Sequence, residues 1–180
     1  MSAASPDARP CADPILTAFS DEFRRLKRSA DRGLAQLDHP DFFFKLSAEQ
    51  NSIFAILKHM AGNMHSRWTD FLTTDGDKPD RDREAEFVDD PTMPRDKILH
   101  MWEDGWDVLF RTLAAMHDAD LLRTVTIRGE AMTAAAAITR QVAHYGWHVG
   151  QIVLLAKHIR GERWNYVTIA PGKSAEYKPR

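Results

Sequence analysis

The sequence has only one cysteine, Cys11, among its 180 residues. A lone cysteine has no partner in the chain for a disulfide, which is typical of proteins in a reducing compartment. The sequence also has no run of apolar residues long enough to span a bilayer, and residues 1–14 contain no apolar segment of the kind that a signal peptide needs. We therefore expect a cytoplasmic protein with no membrane association.

The sequence also has no large excess of positive or negative residues. The formal net charge is -2 at pH 7 and the sequence pI is about 6.4. Such a balance creates no field that would concentrate nucleic acid or an acidic membrane around the protein. We expect a small-molecule substrate and no nucleic-acid partner.

The length and composition indicate one globular domain. With 180 residues, 43% hydrophobic and 28% charged, the chain can bury a single sizeable core. Residues 1–13 are rich in proline, small and polar residues, which predicts a flexible N-terminal arm. Residues 14–180 are then the domain itself, with an extended tail at its C-terminal end.

Four segments carry apolar residues at three- and four-residue steps, the spacing that places one apolar stripe along an amphipathic helix. The predicted helices are Ile15 to Leu37, Asn51 to Leu72, a third with its seam from Leu99 to Met116, and Thr133 to Ile159. Residues 73–94 between the second and third helices predict a long surface loop. Four such helices predict an all-α, up-down-up-down four-helix bundle, a fold that builds metal sites from facing side chains.

A short β-hairpin is predicted before the last helix. The stretch Thr124-Val125-Thr126-Ile127 alternates polar and apolar residues, and Arg128-Gly129-Glu130 follows it. Alternation followed by a glycine-containing turn is the usual signal for two paired strands. No other segment predicts a strand.

His144 and His148 are the first candidate metal ligands. At i and i+4 on a helix they are about 40° and about 6 Å apart, so both can reach one ion. Taken alone, such a pair is better explained by chance or by a polar edge to the core. A firm site needs a third ligand, and neutral imidazole nitrogen suits zinc, nickel, copper or iron.

His59 is the best candidate for that third ligand. It lies on the same flank of its apolar stripe as His144 does, by the rotation of about 100° per residue. In an up-down-up-down bundle the second and fourth helices run in the same direction, which would place His59 and His144 at similar depth. His100 is the reserve ligand, whereas His65 and His158 are turned or displaced from the site.

The sequence around these histidines resembles a known superfamily. The run Ile56-Leu57-Lys58-His59-Met60, together with His144-x-x-x-His148-x-Gly150-Gln151, is similar to the DinB/YfiT-like metal-binding four-helix bundles. The resemblance covers most of the chain and is greatest to a branch catalogued as a domain of unknown function. It implies a metal held by His59, His144 and His148, activity as a thiol-dependent transferase or isomerase, and a homodimer.

The ligand set favours a catalytic rather than a structural metal. Three neutral histidines leave a zinc or nickel ion with its double charge and an open position for water or a low-molecular-weight thiol, whose pKa coordination would lower. Asn63 and Gln151 are candidates to orient a ligand or the bound water. Asp70 and Glu130 are the nearest carboxylates by pattern, and neither is assigned as a general base.

Three functions stay open at this point. The first is a metal-dependent transferase that activates a small thiol. The second is a non-enzymatic metal-binding or stress-related module, and the third is a metal-dependent hydrolase. Trp147 lies almost opposite the apolar stripe of its helix, so we expect it to contact either a second copy of the chain or the C-terminal tail.

Overall fold

The computed structural model describes residues 13–176 and is mostly helical. The predicted four helices and the hairpin before the last helix are confirmed: α1 Pro14–Leu34, α2 Ile53–Trp68, α3 Arg95–Ala114, β1 Thr124–Ile127, β2 Glu130–Thr133 and α4 Ala134–Arg160. The predicted N-terminal arm lies outside the described residues except for Asp13, and so does Cys11. Over residues 13–176, no helix combines the length and the apolar character needed to cross a bilayer.

Local capping explains where the two site-bearing helices begin and end. The Ser52 hydroxyl accepts a hydrogen bond from the backbone N–H of Ala55 at 3.0 Å and so caps α2, and Thr133 caps α4 in the same way. α4 ends at Gly161, whose φ of 54° is a left-handed conformation. α2 ends at Trp68, earlier than the predicted Leu72, and Asp70 just beyond it has a φ of 50°.

The hairpin is held against the loop that follows α2. β1 and β2 pair antiparallel around Arg128 and Gly129, both with positive φ, at 54° and 74°. Their backbone N–H groups donate to the Asp75 carboxylate at 2.9 and 2.8 Å. These and neighbouring backbone hydrogen bonds lower the pKa of Asp75 to about 2. The loop and the hairpin are therefore one connected unit beside α4.

α2 and α3 run in the same direction. A Cβ built on Gly105 would lie 3.0 Å from the Cα of Ala61, and seven residues further along both helices the Thr112 hydroxyl donates to the Trp68 carbonyl at 2.8 Å. α1 and α3 are antiparallel, since Phe23 packs near Trp106 while Asp31 bonds Trp102, whose number is lower.

α4 runs parallel to α1. Phe23 lies 5.8 Å from Tyr145 between ring centroids, and Gly33 faces Ala156. The order is therefore up-down-down-up, and the predicted up-down-up-down order is wrong. The physical reason is the length of the loop of residues 69–94. α2 has 16 residues and is about 24 Å long, and the loop runs back along this length. α3 therefore begins near the N-terminal end of α2.

The core is centred on one aromatic side chain from each helix. Phe23, Trp68, Trp106 and Tyr145 are completely buried, with Phe23 5.7 Å from Trp68 and 6.4 Å from Trp106 between ring centroids. Aromatic rings at these distances prefer the edge-to-face contacts seen here and bury large apolar areas. The four helices therefore share one core, which fixes the faces of α2 and α4 that carry the histidines.

The C-terminal tail packs on α1. The Arg32 guanidinium donates to the carbonyls of Tyr166 and Val167 at 3.0 and 2.7 Å, and Trp164 lies against Gly33. Trp147 is 73% exposed, so the described part of the tail does not cover it. Of the two contacts predicted for Trp147, the one with the tail is not made by tail residues up to position 176.

Candidate metal centre

Three histidines from two helices converge at the α2–α4 interface. The Nε2 atom of His144 lies 3.3 Å from that of His59 and 3.0 Å from that of His148. The three ligand atoms are all within 4.8 Å of one another. His59 is buried and the other two are partly buried. The histidines that sequence reasoning selected on separate helices therefore meet, and as a group they could hold a metal ion.

Each ring is oriented by an acceptor oxygen at its other nitrogen. The contacts are His59 Nδ1 to Glu86 Oε2 at 2.9 Å, His144 Nδ1 to Gln141 Oε1 at 3.4 Å and His148 Nδ1 to Gln151 Oε1 at 3.0 Å. Because a carboxylate or amide oxygen only accepts, each Nδ1 carries the proton. All three Nε2 atoms then present lone pairs toward one point, an arrangement that repels itself unless a cation lies between them.

The distances from His144 Nε2 to the other two Nε2 atoms fit a transition metal. Two imidazole nitrogens at 2.0–2.1 Å from a tetrahedral zinc ion are about 3.3 Å apart. The observed 3.0 and 3.3 Å agree with that geometry. Neutral imidazole is also the form of histidine that binds metals, so the donor chemistry fits as well as the distances do.

Burial and nearby positive charge favour the neutral form of His144, and burial favours the neutral form of His148. Burial, followed by the nearby charges of His148 and His59 and then of Arg67 and Arg81, lowers the pKa of His144 to about 3. Burial also lowers the pKa of His148. A histidine with so low a pKa is a neutral imidazole at neutral pH, so a metal ion has no proton to displace from its Nε2.

Glu86 is the functional residue that the sequence did not reveal. Burial alone would raise the pKa of its carboxyl, but hydrogen bonds from His59 and from Arg81 outweigh burial and lower it. Arg81 donates to both Glu86 oxygens, at 2.7 and 2.8 Å. Gly62 on α2 makes room for this carboxylate, because a Cβ there would overlap Glu86 Oε1. A glycine one turn after His59 was the only local signal.

The two predicted supporting residues have different positions. Gln151 contacts a candidate ligand, His148, as expected. Asn63 is buried and accepts from the Tyr145 hydroxyl at 2.9 Å, and it contacts none of the three histidines. Asn63 therefore supports the α2–α4 packing, whereas Gln141, which sequence reasoning passed over, orients His144.

The other candidates lie away from the centre. The side chain of His100, the reserve ligand, is 78% exposed and pairs with Asp104. Asp70 is exposed, and Glu130 pairs with Arg140 on the surface. Neither of these carboxylates belongs to the histidine group. The carboxylate nearest to the site comes instead from the loop before α3.

A cleft of about 430 Å³ opens beside the candidate centre. Gln151 lines it, together with Ile56 and Leu155 from the two site-bearing helices. Leu154 on its rim is 61% exposed. Polar and apolar side chains share the lining of this cleft, and none of the three histidines is among them. A concave cleft of this size can hold a small molecule. The oxygen that orients His148 is thus on a side chain that lines this cleft.

The fold and the site define the class: a helical protein with a three-histidine candidate metal centre built between two antiparallel helices. The chain belongs to the family described as "Protein of unknown function (DUF1572)", whose model matches residues 11–173. No curated protein and no solved structure matches the chain.

Proposed function

We propose that this protein binds one divalent transition metal ion, zinc or nickel, through His59, His144 and His148. We further propose that it acts as a metal-dependent transferase on a low-molecular-weight thiol. One observation carries the proposal: three Nε2 lone pairs converge within 4.8 Å while each Nδ1 is bonded to an oxygen. Such carboxylate–histidine and amide–histidine pairs are the usual support of metal ligands.

An open coordination position supports catalysis over a purely structural metal. Among the described residues the group that could hold an ion consists of the three histidines. Structural zinc sites use four protein ligands, whereas catalytic sites use three. When bound, the ion would supply a Lewis acid that lowers the pKa of a thiol or water at the remaining position.

Residues around the candidate centre orient the histidine ligands and contact the small thiol. Glu86 holds His59 in the Nδ1–H tautomer, and Arg81 holds Glu86. Gln151 orients His148 and also lines the cleft, which is why we place the body of a small thiol in this cleft. Phe87 stacks on the His59 ring at 4.9 Å and keeps water from that side.

We also propose that the four helices form the four-helix bundle of the DinB-like superfamily. The shared aromatic core and the placement of the histidines on α2 and α4 support this assignment. A homodimer and a cytoplasmic location, the latter from the single cysteine, belong to the same proposal.

Elemental analysis of the purified protein tests the metal. We expect one equivalent of zinc or nickel per chain in the wild type and its loss in His144→Ala, because two remaining imidazoles do not hold an ion firmly. His100→Ala is the matched control, since His100 is exposed and remote from the group, and it should keep the metal. A wild-type protein that lacks stoichiometric metal even after loading would refute the proposal.

A screen of electrophilic substrates then separates the three functions. Turnover that requires added thiol supports the transferase, and turnover of activated esters without thiol supports the hydrolase. A metal-loaded protein with no turnover in either arm, and with no exchangeable ligand at the metal, supports a non-enzymatic module. The His144→Ala variant should be inactive in whichever arm is positive.

A further inference from the structure

Arg67 is a buried arginine that no group in the described part of the chain neutralises. It is 6% exposed, and two of its guanidinium nitrogens, Nε and Nη1, are enclosed without a hydrogen-bond partner. A buried, unpaired charge is among the most unfavourable features a folded protein can contain. Burial lowers the pKa of Arg67, which reports the same unfavourable desolvation. Because hydrogen bonds within the described residues do not compensate the buried charge of Arg67, a bound group is needed to do so.

The groups around Arg67 are bonded to others. The Gly76 carbonyl, on the loop that covers the guanidinium, accepts from the Ser66 hydroxyl at 3.1 Å. The Asp77 carboxylate bonds Arg128 at 2.9 Å and faces Arg81 at 3.7 Å. The hydroxyl of Tyr145, the next neighbour, donates to Asn63 and accepts from Trp68. None of these groups accepts a hydrogen bond from Nε or Nη1 of Arg67.

Arg67 lies on the same side of α2 as the candidate metal ligand. His59 and Arg67 are eight residues apart, which corresponds to a rotation of about 80° and about 12 Å along the axis. The charge of Arg67 is near enough to act on His144 across the interface. The guanidinium and the three histidines therefore border the same α2–α4 interface.

The charge balance of this interface favours an incoming anion. Arg81 is neutralised by Glu86 through two hydrogen bonds, but Arg67 has no such carboxylate. A divalent ion on three neutral histidines would add two more positive charges. An anionic ligand would therefore be attracted both by the metal and by the guanidinium of Arg67, which is already desolvated.

We propose that Arg67 is an anion-binding residue that holds a carboxylate or phosphate group of the small molecule that binds at this interface. A planar guanidinium matches either group through two parallel hydrogen bonds. The third nitrogen, Nη2, is not one of the enclosed atoms, so Nη2 is the nitrogen that an incoming anion meets first. The choice of substrate rests on the proposed function, but anion binding by Arg67 does not require the metal.

Thermal unfolding of the metal-free full chain tests the proposal with sodium acetate and sodium phosphate as probes. Sodium chloride at equal ionic strength corrects for general salt effects. At about a hundredfold excess over Kd, a bound anion should raise the Tm by roughly 5 to 10 °C. A rise with acetate alone indicates a carboxylate ligand, and a rise with phosphate alone indicates a phosphate ligand.

Two variants and one control connect the rise to Arg67. Arg67→Met should abolish it, and Arg67→Lys, which keeps the charge but lacks the fork, should weaken it. Arg111→Met removes an exposed arginine of α3 and should leave the rise unchanged. In buffer without the probes, Arg67→Met should be at least as stable as the wild type, because no internal partner loses its bond.

The outcomes separate this proposal from the proposed function. No rise beyond that of sodium chloride, or a rise that persists in both Arg67 variants, overturns the anion site. A clear loss of stability in Arg67→Met without probes overturns it too, since it would show a structural role. Failure of the wild type to bind metal refutes the metal centre but leaves the anion result standing, because the probes are tested without metal.

Discussion

Glu86 connects the loop before α3 to the candidate metal centre. Its carboxylate accepts from His59 Nδ1 and from two nitrogens, Nε and Nη2, of a nearly buried Arg81. A carboxylate in this position fixes the tautomer of the ligand and makes its other nitrogen a better donor to a metal. Neither Glu86 nor Arg81 touches the point where the nitrogens converge, so both act through His59.

Glu86→Gln should weaken metal binding by about 10- to 100-fold, the usual effect of losing such a carboxylate. The glutamine keeps an acceptor oxygen but loses the charge that polarises His59. Competition with a chelator measures the affinity. Glu84→Gln is the matched control, because the Glu84 side chain is 88% exposed. Equal affinity in both variants would show that Glu86 plays no part in the centre.

α2 must lie close to the Glu86 segment, and Gly62 permits this. A side chain at position 62 would occupy the space of the Glu86 carboxylate. Alanine normally stabilises a helix relative to glycine, so a glycine retained within α2 has a packing reason. α4 also contains glycines, Gly146 and Gly150, but a Cβ on either meets nothing within 4 Å.

Gly62→Ala should therefore lower both the free energy of unfolding and the affinity for metal, despite the better helix propensity of alanine. Gly146→Ala, in open space, should raise the free energy of unfolding by about 0.5–1 kcal/mol. Urea unfolding of the metal-free variants measures both changes. A stabilising effect of Gly62→Ala equal to that of Gly146→Ala would contradict the close packing of Glu86 on α2.

The lowered pKa values of His144 and His148 should make the stability of the metal-free protein depend on pH. The pKa of His144 is about 3 in the folded chain against an ordinary value of 6.5, and the pKa of His148 is lowered as well. Below about pH 6.5 the unfolded chain therefore binds protons that the folded chain does not, and folding is penalised. Stability is at its full value above that pH and falls as the pH decreases toward the folded pKa.

We expect the urea midpoint of the metal-free protein to fall between about pH 7.5 and about pH 5. His144→Asn, which does not titrate, should show a shallower decline, and His100→Ala should follow the wild type. Circular dichroism at each pH gives the midpoints. Identical slopes for wild type and His144→Asn would show that His144 is not the titrating group.

One face of α4 is left uncovered in the single chain. Trp147 is 73% and Leu154 is 61% exposed, and a separation of seven residues places them on one side of the helix. Gly150 between them is exposed and adds no side chain to the surface. A large exposed aromatic beside apolar and small residues is typical of interface centres.

If this face forms the proposed homodimer, Trp147→Ser should weaken association by about 30-fold, which corresponds to about 2 kcal/mol for an interface anchor. Sedimentation equilibrium over a range of concentrations measures the dimer constant. Leu122→Ser is the control, since Leu122 is 82% exposed in a different segment. A wild type that stays monomeric, or a control that weakens association equally, contradicts the role of Trp147.

Sequence alone was enough to find the helices, the hairpin and the three histidines. These features depend on local rules: the period of 3.6 residues, the alternation of polar and apolar residues before a glycine-containing turn, and the rotation of about 100° that places His59 and His144 on matching flanks. Such rules hold wherever the helix lies in the fold. This is why the histidines meet although the direction assumed for α2 relative to α4 was wrong.

Helix direction and the partners of the site became visible only in the folded chain. The path of residues 69–94 makes α2 parallel to α3, and the same loop brings Glu86 and Arg81 to His59 and covers Arg67. No local period encodes where an irregular loop packs, because its position is set by contacts between residues far apart in sequence. Local periodicity therefore places the ligands, and long-range packing supplies the carboxylate, the unpaired arginine and the charge around them.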